Sequence, residues 1–72
     1  MVAAVASAAE VIRNARVQAG LSQRELAGKL ATTQSAVARL EAHGSNPRVQ
    51  TVERALHATG HRLVLAAAPA AP

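Results

Sequence analysis

Apolar residues recur along the chain at helical spacing, and small polar residues interrupt them at intervals. Ile12, Ala15 and Ala19 fall on one face of a first predicted helix, because side chains three and four residues apart line the same side of a 3.6-residue turn. Ser7 and Glu10 stand at capping-box spacing before that stripe, and Gly20 follows it as the expected left-handed residue that closes the helix. Ser22 and Glu25 repeat the box and open a short second helix with Leu26, Ala27 and Leu30 inward. Thr33 is the expected cap of a third helix, whose apolar side carries Ala36, Val37 and Leu40. Gly44, Asn46 and Pro47 predict a loop. A fourth helix is predicted from about Val49, with Val52, Ala55 and Leu56 inward and Gly60 at its end.

The period changes after Gly60. The stretch "HRLVLA", residues 61–66, sets a β-branched residue between leucines and has no helical stripe, so it predicts one short strand. No second strand is predicted to pair with it, and a lone strand leaves its backbone groups unsatisfied. Pairing with the same strand of a second copy is the economical solution and would make Arg62, Leu63, Val64 and Leu65 a dimer interface. A final helical turn folded on the core is the alternative. The closing "AAAPAAP" is of low complexity, with prolines that interrupt regular structure, and residues 67–72 are expected to form a loose tail.

Composition narrows this all-α picture. At 72 residues the chain makes one domain with a modest core. Half of it is apolar, yet it has no Phe, Tyr or Trp, so the core must be built from Ala, Val, Leu and Ile in closely packed helices. The absence of Cys excludes disulfides and thiolate metal sites. Eight Lys and Arg face four Glu, for a net charge of +4, which suits a polyanionic partner. The opening "MVAAVASAAE" is too short for a membrane span and lacks the basic start of a signal peptide, so it is expected to lead into the first helix of a cytoplasmic protein with no membrane partner. His57 and His61 are four apart, but Gly60 lies between them and no third ligand accompanies them, so neither a metal nor another cofactor is expected. No Ser/His/acid set or paired carboxylates point to an enzyme, and Gly20, Gly28 and Gly44 lack the spacing of a phosphate loop. Gly28, inside the second helix, is expected to permit close packing.

The interruption "ATTQS" between the second and third helices gives the chain its chemistry. Two helices joined by about four residues describe a helix-turn-helix. On the wheel of the third helix, Gln34, Ser35, Ala38, Arg39 and Ala42 lie away from the apolar side. That face is small or hydrogen-bonding, which suits a helix lying against a surface. Gln can bond adenine bidentately, Arg can fork onto guanine, and a small methyl such as that of Ala38 can meet a thymine methyl at close approach. The turn would set this helix so that its start enters the major groove.

Residues 12–60, and above all "SQRELAGKLATTQSAVARLEAHGSNP", resemble the lambda-repressor-like, or Xre, family of helix-turn-helix domains. The resemblance implies a bundle of helices that binds duplex DNA as a sequence-specific transcriptional regulator. It implies that Gln23 holds a phosphate and braces the third helix, and that Thr33, Gln34, Ser35 and Arg39 face bases or nearby phosphates. It implies backbone contacts from the loop at Gly44, Ser45, Asn46 and Arg48, and an ion pair between Arg16 and Glu41. The family's usual turn glycine is Ala31 here, at an expected cost of about 1 kcal/mol if the position needs φ > 0. The family's fifth helix is replaced by "GHRLVLAAAP", which is similar to Xre-type antitoxins whose terminal strand joins two subunits. That second likeness implies a homodimeric repressor on an inverted-repeat operator, and a toxin as a further partner. The alternative is an interaction protein whose main role is to bind and neutralise that toxin. In either case residues 1–60 are the DNA-binding domain and 61–66 the dimerisation strand.

Overall fold

Ile12, Leu26 and Val37, one side chain from each of three helices, are the largest that the fold encloses completely. In the computed structural model, which describes residues 7–70, the helices are α1 (Ala8–Gln18), α2 (Gln23–Lys29), α3 (Gln34–Leu40) and α4 (Val49–Ala58). The first six residues of the expected lead-in and the last two of the tail lie outside the described residues. α2 packs on α3, α1 on α4, and α4 also meets α2. Ala15, Leu26, Ala27, Val52, Ala55 and Leu56 join Ile12 and Val37 in one core, with Leu30 and Leu40 at its rim. Ala19, expected inward, is exposed because it caps the end of α1, where the chain turns out. Ala9 is buried in its stead, one α-turn before the predicted stripe.

Local signals set the helix starts. The Ser7 hydroxyl accepts from the Glu10 amide at 3.2 Å. The full box forms at α2, where the Ser22 hydroxyl accepts from the Glu25 amide at 3.0 Å and the Glu25 carboxylate accepts from the Ser22 amide at 2.9 Å. That carboxyl is held below its ordinary pKa, chiefly by the Ser22 backbone amide. Thr33 caps α3 by accepting from the Ala36 amide at 3.1 Å.

Three helices end alike. After α1, Leu21 donates to the Arg16 carbonyl at 3.1 Å and Gly20 to Val17 at 3.0 Å, the paired bonds of a Schellman motif. α4 closes in the same way at Gly60 and His61. At α2 the left-handed position is occupied by Ala31, with φ of 54°, while Thr32 donates to Ala27 at 2.9 Å and Ala31 to Gly28 at 3.2 Å. Ala31 is the one non-glycine residue with positive φ among those described. Gly28, three residues earlier, does not serve close packing as expected: a Cβ there would meet nothing within 4 Å. Exchanging the two should therefore stabilise the fold. Gly28→Ala and Ala31→Gly are each expected to add about 0.5–1 kcal/mol, read as a rise in the urea midpoint at unchanged slope.

Residues 61–70 carry neither helix nor strand. In a single chain this is the outcome for a segment with no ladder to join, since strand geometry is held by cross-strand bonds. The two leucines of this segment differ in their surroundings. Leu63 packs against the core, but Leu65 is 72% exposed and Val64 73%. The exit from α4 is held by His61, whose ring nitrogens lie 3.0 Å from the Thr59 carbonyl and 3.1 Å from Gln18 Oε1 on α1. Among the described residues no helix is long and apolar enough to cross a membrane.

Candidate nucleic-acid interface

The outer side of α3 is open. Gln34, Ser35, Ala38, Arg39 and Ala42 are exposed, while Val37 is buried and Ala36 and Leu40 are half-buried. The wheel drawn from the sequence thus describes the helix, and Thr33 is exposed at its cap.

What aims this face is a polar clamp at the other end of α3. Glu41, its C-cap, is 3% exposed at the side chain. A carboxylate is unfavourable there, beside the unpaired carbonyls of a helix terminus, and burial adds a desolvation cost. Arg16 on α1 answers both. Its Nε donates to Glu41 Oε2 at 2.7 Å and its Nη2 to Oε1 at 2.9 Å. The hydrogen bond to Glu41 raises the Arg16 pKa, against a partial opposing effect of desolvation. Nη1 donates to the Leu21 carbonyl at 2.8 Å, in the link between α1 and α2. Gln23, in the first turn of α2, donates to Glu41 Oε1 at 3.3 Å. One carboxylate therefore gathers α1 and α2 onto the end of α3. The brace expected of Gln23 is present, and the second hydrogen of its amide remains for another acceptor.

The loop divides its expected contacts. Asn46 and Arg48 are exposed. Arg48 occupies the N-cap of α4 without a side-chain capping bond. Ser45 differs. Its hydroxyl donates to the Leu40 carbonyl at 2.7 Å and its amide to Ala42 at 3.0 Å. In the free chain both of its donors close α3, so Ser45 braces the loop.

One participant was not signalled by the sequence. Arg54 on α4 donates from Nη2 to the Leu30 carbonyl at 3.3 Å, at the C-cap of α2. The partners are 24 residues apart, so no local spacing could have paired them. Among the described residues no group of three His, Cys, Asp or Glu is placed to hold a metal.

Two short helices packed across a turn, the second anchored at its end and exposing a small, hydrogen-bonding face, define a helix-turn-helix DNA-binding domain. The family model described as Helix-turn-helix matches residues 12–63, well over half of the chain. The chain belongs to the lambda-repressor-like, or Xre, helix-turn-helix family, a family of DNA-binding regulators and not of enzymes. No curated protein and no solved structure matches it.

Proposed function

We propose that the chain is a sequence-specific repressor that binds an inverted-repeat operator as a homodimer. The observation that carries this is the exposed Gln34, Ser35, Ala38 and Arg39 face of a helix whose far end is fixed by the Arg16–Glu41 clamp. α3 lies in the major groove with its N-terminal turn against the bases. Gln34 reads a base edge, Ser35 and Thr33 bond bases or phosphates near the helix start, and Ala38 allows the helix to come close. Arg39 reaches a base or the adjoining phosphate. Gln23, Asn46 and Arg48 hold the backbone and fix the register. The DNA-binding unit extends through residue 60, and residues 61–66 join two subunits with Arg62, Leu63, Val64 and Leu65 at the contact. Repression follows from occupying DNA that the transcription machinery needs.

Selection of bound duplexes from random DNA, followed by a salt titration on the selected site, tests the proposal. Affinity is expected to fall with salt at a log–log slope of about −0.9 for each phosphate neutralised. No binding to any duplex at low salt would sink it. The residue roles separate in two variants. Gln34→Ala is expected to lose about 1–3 kcal/mol of discrimination at one base pair, whereas Arg48→Ala weakens matched and mismatched sites alike. Equal behaviour of the two would overturn the assignment of base reader and backbone contact.

A second reading adds a toxin to the partners and makes the protein an autoregulating antitoxin. It is favoured by the exposed apolar side chains of Val64 and Leu65 in a segment beyond the helices, which on this reading are covered by the toxin instead of by a second copy. In its stronger form, toxin neutralisation is the main task and DNA binding the lesser one. Co-purification of a second protein encoded beside this chain, released by Val64→Glu, is the expected result if the toxin reading holds.

A further inference from the structure

A cleft of about 460 Å³ opens between α3, the loop before α4 and the first turns of α4. Arg39 and Arg54 line it together with Thr32 and Thr51, and Leu30 and Leu40 supply apolar wall. No Asp or Glu lines it. A larger cleft of about 800 Å³ between α2 and α4 also has basic lining, but there Glu53 accompanies Lys29 and Arg54, so its charge is partly matched. The smaller cleft has two guanidinium groups and no acid. Arg54 is held in place through one nitrogen by the Leu30 carbonyl, which leaves further donors of its planar fork for an anion. The volume is that of a small-molecule site, and apolar wall with a few convergent polar groups is the usual lining of one.

We propose that this cleft binds a small organic anion, a carboxylate or phosphate monoester on a short apolar body, and that the bound anion weakens DNA binding. The acidic head lies between Arg39 and Arg54 and takes hydrogen bonds from Thr32 and Thr51. The body lies on Leu30 and Leu40. Antagonism rests on the DNA-binding proposal above and follows from charge. The anion engages Arg39, which that proposal places against the DNA, and it adds negative charge between two elements that face phosphates, where like charges repel. The site thus makes the regulator responsive to a metabolite-sized acid with no separate sensing domain.

Backbone amide and arginine Nε–Hε NMR spectra of the full chain, titrated with butyrate, butyl phosphate and neutral butanol at constant ionic strength, test the site without DNA. Saturable shifts at Thr32, Arg39, Thr51 and Arg54, with a midpoint in the low millimolar range or below for one of the acids, are expected. The better of the two acids identifies the head group. Arg54→Met should raise the midpoint at least tenfold. Thr51→Val provides a second variant that leaves the Leu30 contact intact and should raise it severalfold. Shifts that are linear in concentration, or equal at Arg13 and Arg62, or reproduced by butanol, would overturn the site. In the second arm the saturating acid should lower affinity for the selected duplex at least tenfold in the parent chain and little in Arg54→Met. Saturable binding with unchanged DNA affinity overturns the antagonism. A chain that fills the cleft but binds no duplex contradicts the DNA-binding proposal and leaves the anion site standing.

Discussion

Arg16→Met is expected to remove about 3 kcal/mol or more of folding stability, and adding Glu41→Leu is expected to restore part of it. The single substitution leaves a carboxylate that is 3% exposed beside a helix C-terminus, with only the Gln23 amide at 3.3 Å for company. A domain of this length is stable by roughly 4–11 kcal/mol, so the loss is a large share of the whole. The double variant removes both charges and puts similar apolar volume in their place. It does not return fully to the parent, because the Leu21 carbonyl loses its 2.8 Å donor and Gln23 loses its acceptor, at about 1 kcal/mol each. With no aromatic residue in the chain, urea unfolding must be followed by far-ultraviolet circular dichroism. Losses that simply add would mean that the two side chains do not interact in solution. A single variant that keeps its stability but loses DNA affinity would separate aiming α3 from holding the fold.

Val64→Pro should convert the protein from dimer to monomer and reduce affinity for a full operator roughly 10²–10⁴-fold, toward that for one half-site. The proposed ribbon runs antiparallel about a two-fold axis, which gives each strand an identical partner in the opposite sense. Proline removes a ladder donor. Val64 is the informative position because it is 73% exposed in the single chain, so its replacement leaves the core intact. Truncation after Gly60 gives the same loss of pairing but also strips Leu63 from the core, and it should cost some stability as well. Half-sites about 34 Å apart on one face of the duplex are the matching expectation for the selected operator. A Val64→Pro protein that sediments as a dimer at micromolar concentration, with full operator affinity, would place the two-fold contact elsewhere.

The elements that were legible in the sequence depend on neighbours within four residues. Ser22 with Glu25, Thr33 before Ala36, and the Ile12–Ala15 and Val52–Ala55–Leu56 stripes each state a local geometry that the structure adopts. The Arg16–Glu41 pair came from family resemblance, since a separation of 25 residues leaves no periodic trace. The same distance problem hid Arg54 and the Leu30 carbonyl. Ser45 shows the limit of residue type. Its hydroxyl suits a phosphate as well as the end of its own helix, and in the free chain it bonds the Leu40 carbonyl at 2.7 Å. Gly28 misled, since a glycine suggested a close approach where space is open, whereas the family resemblance had already marked Ala31 as the turn position, and its φ is positive. The segment 61–66 was least legible: its pattern predicted a strand, and residues 61–70 carry neither helix nor strand.

The first helix packs on the last, and this orders events during synthesis. α1 is made with Ile12 and Ala15 uncovered, and α2 and α3 are both made before α4, the helix that will cover it. Closure waits for Val52, Ala55 and Leu56. A message cut short before that point yields a product with a bare apolar face, open to proteases and chaperones. Such a fragment carries the whole of α2 and α3 yet should not accumulate to compete for DNA, so the order of packing ties occupancy of the operator to completion of the polypeptide.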